Sequence, residues 1–109
     1  MKGERMIVLR GLLPVFVSFI IYKRGKRARA ADIVKDLQYL YGRPIPKSLV
    51  FTTLKRLIRY GVVEKETDGN RTFYILNEDG EVFLIRHIEI LKNINVVIQK
   101  VISETENNG

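Results

Sequence analysis

Two β-prone runs joined by an Asp-Gly turn constrain the fold of this chain most strongly. The runs are residues 62–66 and 71–76, and Thr67-Asp68-Gly69-Asn70 lies between them. Asp-Gly between two such runs is typical of a tight β-hairpin. The remaining segments follow helical periodicity, so the sequence predicts a mainly α-helical, α+β fold that contains one small hairpin.

The N-terminal segment is apolar along most of its length. Residues 6–22 form an apolar run that Arg10 and Pro14 interrupt, and no uncharged stretch is long enough to span a bilayer. A secretory signal is the alternative, since Ala28-Arg29-Ala30 resembles a signal-peptidase site, but the strongest positive charge follows the apolar run and opposes translocation. We therefore expect no membrane contact and a buried first helix, in which Pro14 either lies in the first turn, where a missing N–H costs nothing, or kinks the helix.

Two shorter helices follow, separated by a turn that contains two prolines. The first of them begins near Ala30 and stops at Gly42. Residues 46–60 form the next helix, with Pro46 at its first position and Gly61 as its C-cap. Three helices followed by a hairpin is the element order of a winged helix-turn-helix.

A long helix is predicted after the hairpin, from about residue 81 to residue 103. Six of its residues alternate at spacings of four and three, as in the seam of a coiled coil; this seam is Leu84, Ile88, Leu91, Asn95, Ile98 and Ile102. We therefore divide the chain into a winged-helix domain at residues 1–80, a dimerisation helix at residues 81–103 and a disordered polar tail at residues 104–109. Asn95 either sets the register of paired helices or lies at the edge of the seam, with Ile94 in the buried position.

Charge is distributed unevenly along the chain. The net charge is +7, because residues 1–63 carry 14 Lys and Arg against 3 Asp and Glu, whereas residues 64–109 carry 5 against 9. A strongly basic half is typical of a protein with a nucleic-acid partner, whose phosphates supply most of the attraction. RNA is less favoured as this partner, because the sequence has no close set of exposed aromatic residues on which bases would stack.

The residue types that carry most catalytic and metal chemistry are scarce. There is no cysteine and a single histidine, His87, so a zinc site would need carboxylates almost alone. The carboxylates are scattered, and a pair such as Asp32 and Asp36 is typical of a helix cap or a solvated face. We therefore expect no enzymatic activity, no metal and no cofactor, and the absence of cysteine suits a reducing cytoplasm. The high content of Ile, Lys, Arg and Glu favours a thermophilic, archaeal source.

The third helix carries the clearest candidate for a binding surface. On a helical wheel its polar residues lie opposite Val50, Leu54 and Leu57, and they include three cations and no acid. Short or flexible polar side chains near the start of such a helix suit base edges in the major groove, and the cations suit phosphates. The candidates are Lys47, Ser48 and Thr52 for the bases, and Lys55, Arg56 and Arg59 for the phosphates. A solvated cationic face is the alternative.

Two further basic segments are candidates for phosphate contact. In the hairpin, we expect Lys65 and Arg71 to lie near each other at the base of the ribbon; an ordinary β-turn is the alternative. The connector at residues 23–29 leads into the second helix, whose first backbone amides favour phosphate. A flexible basic loop is the alternative there. The connector candidates are Lys26, Arg27 and Arg29.

Several stretches resemble PadR-like winged-helix transcription regulators. They are Leu9-Arg10-Gly11-Leu12-Leu13, residues 31–37, Phe51 with Leu54-Lys55-Arg56-Leu57, Gly61 and Val63, and Arg71, Phe73-Tyr74, Leu76-Asn77-Glu78 and Gly80. The resemblance implies a homodimer, joined through the first and last helices, that represses transcription from a palindromic operator. The chain departs from the family at Phe51, where a tyrosine that bonds phosphate is usual. One helix also replaces a larger effector-sensing domain, so we do not expect a small-molecule effector.

Together these features predict a sequence-specific transcriptional regulator that binds double-stranded DNA as a homodimer. Helix 46–60 would enter the major groove, and hairpin 62–76 would act as the wing. A protein-interaction module of the transcription or replication machinery is the alternative, in which the apolar last helix binds a different protein.

Overall fold

The computed structural model describes residues 2–108 of the chain and the side chains of residues 11–107. Four helices and a small three-stranded sheet confirm the predicted mainly α-helical winged helix-turn-helix fold. The elements are α1 (Lys2–Lys23), β1 (Arg27–Ala28), α2 (Ala30–Tyr41), α3 (Lys47–Arg59), β2 (Val63–Asp68), β3 (Arg71–Leu76) and α4 (Glu78–Asn108).

The sheet is antiparallel, with β3 between β1 and β2. β2 and β3 form the predicted hairpin, in which Asp68 lies opposite Arg71 and a two-residue turn joins them. β1 pairs with the base of β3, where Arg27 lies opposite Ile75 and Ala28 opposite Tyr74. The sequence did not predict β1, because a strand of two residues has no periodicity to detect.

The core lies where α1, α2 and α3 pack against the inner face of the sheet. α2 and α3 contribute apolar residues at spacings of three or four, so that one face of each is buried, whereas α1 is buried on more than one side and also buries Val15 and Ser18. The buried residues include Val17 and Ile21 of α1, Ile33 and Leu37 of α2, Leu54 and Leu57 of α3, and Val63 and Leu76 of the sheet. α3 is therefore held by one face and presents the other to solvent.

A left-handed glycine ends α3 and turns the chain into the wing. Gly61 has a φ of +77°. Its N–H donates to the carbonyl oxygen of Ile58 at 2.9 Å, and the N–H of Val62 donates to that of Leu57 at 3.1 Å. These two bonds form a Schellman motif, which satisfies the last carbonyl groups of the helix. The wing consequently follows α3 without a flexible linker.

Asn77 caps α4 and ties it to the end of α3. Its Oδ1 accepts a hydrogen bond from the N–H of Gly80 at 2.8 Å, which is the contact typical of an N-cap residue. Its Nδ2 donates to the carbonyl oxygen of Gly61 at 2.8 Å and to Glu64 Oε2 at 3.0 Å. One amide side chain thus joins the start of α4 to the C-terminal end of α3.

Pro14 lies in the interior of α1 and does not start the helix. α1 begins at Lys2, so Pro14 lies inside the helix and not in its first turn; the side chains of residues 6–10 lie outside the described ones. Proline in a helix interior costs about 3 kcal/mol. The adjacent Leu13 and Val15 are buried, and Ser18 Oγ donates to the carbonyl oxygen of Pro14 at 2.8 Å. Packing of the apolar helix offsets the cost.

The polar tail that was expected to be disordered is helical over most of its length. α4 starts at Glu78 and continues through Asn108, so residues 104–108 are helical, and Gly109 lies outside the described residues. Neither proline nor glycine occurs between residues 81 and 108, and glutamate is a good helix former. Every described side chain beyond Leu91 is exposed. The last part of α4 therefore projects from the core.

Candidate nucleic-acid interface

The exposed face of α3 brings together all six residues predicted for that helix. Lys47, Ser48, Thr52, Lys55, Arg56 and Arg59 are all exposed, whereas Val50, Leu54 and Leu57 on the opposite side are buried. Thr53 is buried as well, and its Oγ1 donates to the carbonyl oxygen of Leu49 at 2.7 Å. The hydroxyl is thereby satisfied within the helix, and the polar face stays separate from the core.

The cations of α3 are not neutralised within the described part of the chain. Lys47, Lys55, Arg56 and Arg59 form no ion pair there, and the first turn of α3 contains no acid. Unpaired cations on one helix face produce a positive potential that attracts a polyanion. This arrangement is suited to phosphate contacts.

Shallow grooves flank this face and add two residues to it. One groove is lined by Ser48, Thr52 and Arg56. The other lies between α2 and α3, where Lys35 and Phe51 are among its lining residues. Lys35 was not among the sequence candidates, because its place beside α3 depends on how the two helices pack. Phe51 is 43% exposed, so an aromatic ring without a hydroxyl borders the cationic face.

The two cations of the wing are not neighbours, which corrects the prediction. Lys65 lies opposite Tyr74, whereas Arg71 lies opposite Asp68 beside the turn. Because side chains alternate between the faces of a strand, Lys65 and Arg71 point to opposite faces of the sheet. Both are exposed. Only Arg71 lies at the tip of the wing, and the two side chains cannot act as one clamp.

Two of the three connector candidates are engaged within the fold. Lys26 Nζ lies 3.1 Å from Glu81 Oε1 of α4, and Arg27 Nη2 lies 2.9 Å from Glu66 Oε1 of β2. Arg29 is exposed and has no carboxylate partner among the described side chains. The three residues therefore do not form a common phosphate site.

Arg24 holds the connector to α2, a role that the sequence analysis did not assign. Its Nε donates to Asp36 Oδ2 at 2.7 Å and its Nη2 to Oδ1 at 3.0 Å, while Nη1 lies 3.8 Å from Asp32 Oδ2. The hydrogen bonds to Asp36 raise the pKa of the Arg24 guanidinium. The spacing of the two acids, one helical turn apart, was the available signal.

The predicted seam of α4 divides into two parts. Leu84 is 6% exposed and belongs to the core of this chain, although the prediction included it in a seam between paired helices. Leu91 is half-buried, and the remaining four members are exposed: Ile88, Asn95, Ile98 and Ile102. The first turns of α4 therefore use the seam to dock on their own domain, and the later turns leave it uncovered.

The described residues show neither a metal-binding cluster nor a membrane-spanning helix. Among the side chains of residues 11–107, no three acidic or histidine groups lie close enough together to hold a metal ion. None of the helices there has an apolar stretch that would reach across a bilayer.

The comparisons with known proteins identify similarity in structure. The chain matches no protein-family model and no curated protein. A transcriptional regulator from Clostridium thermocellum has 18% identity and a TM-score of 0.77, and the match covers 85% of this chain and 92% of that one. A PadR family transcription regulator from Clostridium difficile has 18% identity and a TM-score of 0.70, with coverage of 84% and 98%. A winged-helix DNA-binding protein from STIV has 15% identity and a TM-score of 0.66, with coverage of 73% and 87%. The chain thus has the winged helix-turn-helix fold, and the solved structures that share this fold include PadR-family transcription regulators.

Proposed function

We propose that the chain is a cytoplasmic transcriptional regulator that binds double-stranded DNA through α3. The observation that carries this proposal is the exposed face of α3, on which four cations have no acidic partner among the described residues. Solved structures with the same fold are transcription regulators, and one is a DNA-binding protein. The fold and the surface therefore favour the same function.

The side chains of α3 divide the work of recognition by their length and position. Lys47 and Ser48 lie in the first turn, where a helix in the major groove approaches base edges most closely, and Thr52 follows one turn later. Lys55, Arg56 and Arg59 lie further along and reach phosphates on either side of the groove. Arg71 at the wing tip and Arg29 beside α2 add contacts to the adjacent backbone.

A homodimer is the second part of the proposal. Exposed apolar side chains cover most of α4, namely Val82, Ile85, Ile88, Ile90, Ile94, Val96, Val97, Ile98, Val101 and Ile102. An apolar groove adjoins them, lined by Val15, Phe16, Phe19, Leu40, Tyr41 and Ile88. An uncovered apolar surface of this extent is unusual for a monomer. A second copy offers a self-complementary cover through α1 and α4.

Such a dimer suits a palindromic operator. Two α3 helices related by a two-fold axis read half-sites separated by about one helical turn, roughly 34 Å. A dimer bound over a promoter excludes the polymerase, so repression is the mode of regulation that we propose. The sequence of each half-site would be read by the first turns of α3.

Fluorescence anisotropy of a labelled random duplex, repeated across a salt series, tests DNA binding directly. The three phosphate contacts of α3 in each protomer of a dimer predict a slope of about −5 for the logarithm of the association constant against the logarithm of the salt concentration, and the added contacts of Arg71 and Arg29 steepen it to about −9. No binding at low salt would contradict the proposal. Selection of a high-affinity site followed by footprinting then tests the two-fold spacing.

The exposed apolar face of α4 also favours a second candidate, a module that binds a different protein. Sedimentation equilibrium of the purified chain distinguishes the homodimeric regulator from the interaction module. A stable dimer favours the regulator. A monomer that aggregates, and that binds no duplex, favours the interaction module.

A further inference from the structure

The side chain of Arg27 crosses all three strands of the sheet. It starts on β1 opposite Ile75, passes over β3 with its Cζ 3.6 Å from the centre of the Phe73 ring, and ends on β2 with Nη2 2.9 Å from Glu66 Oε1. We propose that Arg27 is a positioning residue that fixes the wing against the body of the protein, and that it does not contact DNA phosphate. The proposal rests on the DNA-binding function proposed above.

The backbone pairing shows why the wing needs this side chain. β1 pairs only with Ile75 and Tyr74, at the base of β3. Beyond that point the wing is a two-stranded ribbon, and isolated ribbons are marginally stable in water. Glu66 and Phe73 are the next cross-strand pair towards the tip. The Arg27 side chain therefore extends the support of the third strand by one pair.

Two contacts, one with the Phe73 ring and one with the Glu66 carboxylate, hold the Arg27 guanidinium over the wing. Its face lies on an aromatic ring and one edge bonds a carboxylate, and these two contacts are compatible because the guanidinium is planar. Glu66 also neutralises the charge that a phosphate would seek. A phosphate contact by Arg27 would thus require the ion pair to break.

The neighbouring connector cations have the same kind of partner. Arg24 is bonded to Asp36 of α2, and Lys26 is paired with Glu81 of α4. Each of the three cations is thereby directed to a different element. The connector is therefore a junction between elements, which favours an internal role for Arg27.

The variant Glu66→Gln distinguishes a positioning residue from a phosphate ligand, because the two roles predict opposite signs. If Arg27 positions the wing, removing its partner's charge should weaken DNA binding about threefold and leave the salt slope unchanged. If Arg27 is a phosphate ligand, Glu66→Gln should release the Arg27 guanidinium from its ion pair and strengthen DNA binding. In that case Arg27→Gln should reduce the magnitude of the salt slope by about one. The second pair of results overturns the proposal.

Asp68→Asn is the matched control. Asp68 lies on the same face of β2, two residues nearer the tip, and the described side chains include no ion-pair partner for it. Its neutralisation removes a negative charge from the wing without touching Arg27, so binding should be equal or slightly stronger. Equal weakening by both variants would contradict a specific role for the Arg27 contact.

Amide hydrogen exchange of the free protein separates this proposal from the proposed function. Glu66→Gln and Arg27→Gln should both accelerate exchange at residues 67–72, whereas the amides of α2 should keep the wild-type rate. Unchanged exchange in the wing overturns the positioning role, whether or not DNA binds. Faster exchange in a protein that binds no duplex would support the contact and contradict the proposed function.

Discussion

Gly80 lies directly against the carbonyl oxygen of Val62, and a β-carbon at Gly80 would overlap it. The same β-carbon would collide with the side chain of Leu76. This close approach lets the first turn of α4 pack on Val62, three residues beyond the end of α3. Together with the hydrogen bond from Asn77 to Gly61, it fixes α4 relative to the helix proposed to read DNA.

Replacing Gly80 with alanine should destabilise the fold. The added methyl group meets backbone and a buried leucine, so the start of α4 must move, at a cost of about 2–3 kcal/mol. Urea unfolding followed by circular dichroism measures this loss. Gly11→Ala is the control, because a β-carbon there meets no atom within 4 Å and alanine favours the helix. Equal stability of the two variants would contradict the close contact.

Replacing Lys55 and Arg59 together with alanine should weaken DNA binding and reduce the magnitude of the salt slope by about two for each protomer. Both side chains are exposed and form no ion pair among the described residues, so the thermal midpoint should stay near that of the wild type. Arg86→Ala with Lys100→Ala removes the same charge from α4 and should leave the slope unchanged. Unchanged affinity in the first variant would remove this face of α3 from the interface.

Replacing Ile98 with aspartate should dissociate the proposed dimer. Ile98 is 45% exposed in the single chain, so the substitution leaves the domain folded, but a carboxylate in an apolar interface raises the dimer dissociation constant by about 100-fold or more. Light scattering across a dilution series measures this dissociation constant. Asn93→Asp, on the opposite side of α4, is the control. A dimeric Ile98→Asp protein would show that the seam lies outside the interface.

Replacing Tyr41 with phenylalanine should raise stability at neutral pH. The Tyr41 hydroxyl is buried and has no hydrogen-bond partner within the described residues, while its ring packs edge-on against Phe16 at a centroid distance of 5.9 Å. Phenylalanine keeps the ring contact and removes the unsatisfied group, a gain of about 1 kcal/mol. Thermal and urea unfolding measure the change. A loss of stability would indicate that the hydroxyl is bonded in solution.

The same burial predicts a loss of stability in alkaline solution. Desolvation raises the pKa of both Tyr41 and Tyr74 above the ordinary value of 10.0. Between that value and the higher folded pKa, the unfolded chain loses these protons while the folded chain keeps them, so stability is full below about pH 10 and falls as pH rises. The Tyr41→Phe and Tyr74→Phe double variant should lose less stability across this range than the wild type. All other groups are the same in both proteins, so their contributions cancel in the difference.

The parts of the fold that depend on local pattern could be predicted from the sequence. The Asp-Gly turn located the hairpin, and apolar spacings located α2, α3 and α4 to within a few residues. The exposed face of α3 also follows from the helical wheel, because burial of Leu54 and Leu57 determines where the polar residues point.

The parts that depend on contacts between distant residues could not be predicted. Arg27 and Glu66 are 39 residues apart, so no short-range signal indicated that this cation has a partner. The hairpin is different, because a count of residues from the turn would have placed Lys65 and Arg71 on opposite faces, and that count was not part of the prediction. Pro14 lies within α1 because tertiary packing outweighs a local preference.

The uninterrupted course of α4 makes it a lever arm. Its 31 residues extend about 46 Å at 1.5 Å per residue. A tilt of about 10° at its first turn moves the far end by about 8 Å, through plain geometry of a rigid rod. Small shifts in the contacts of Gly80, Val62 and Asn77 at the start of α4 therefore become large displacements at its far end. These contacts help to determine where a partner bound to the distal turns lies relative to α3.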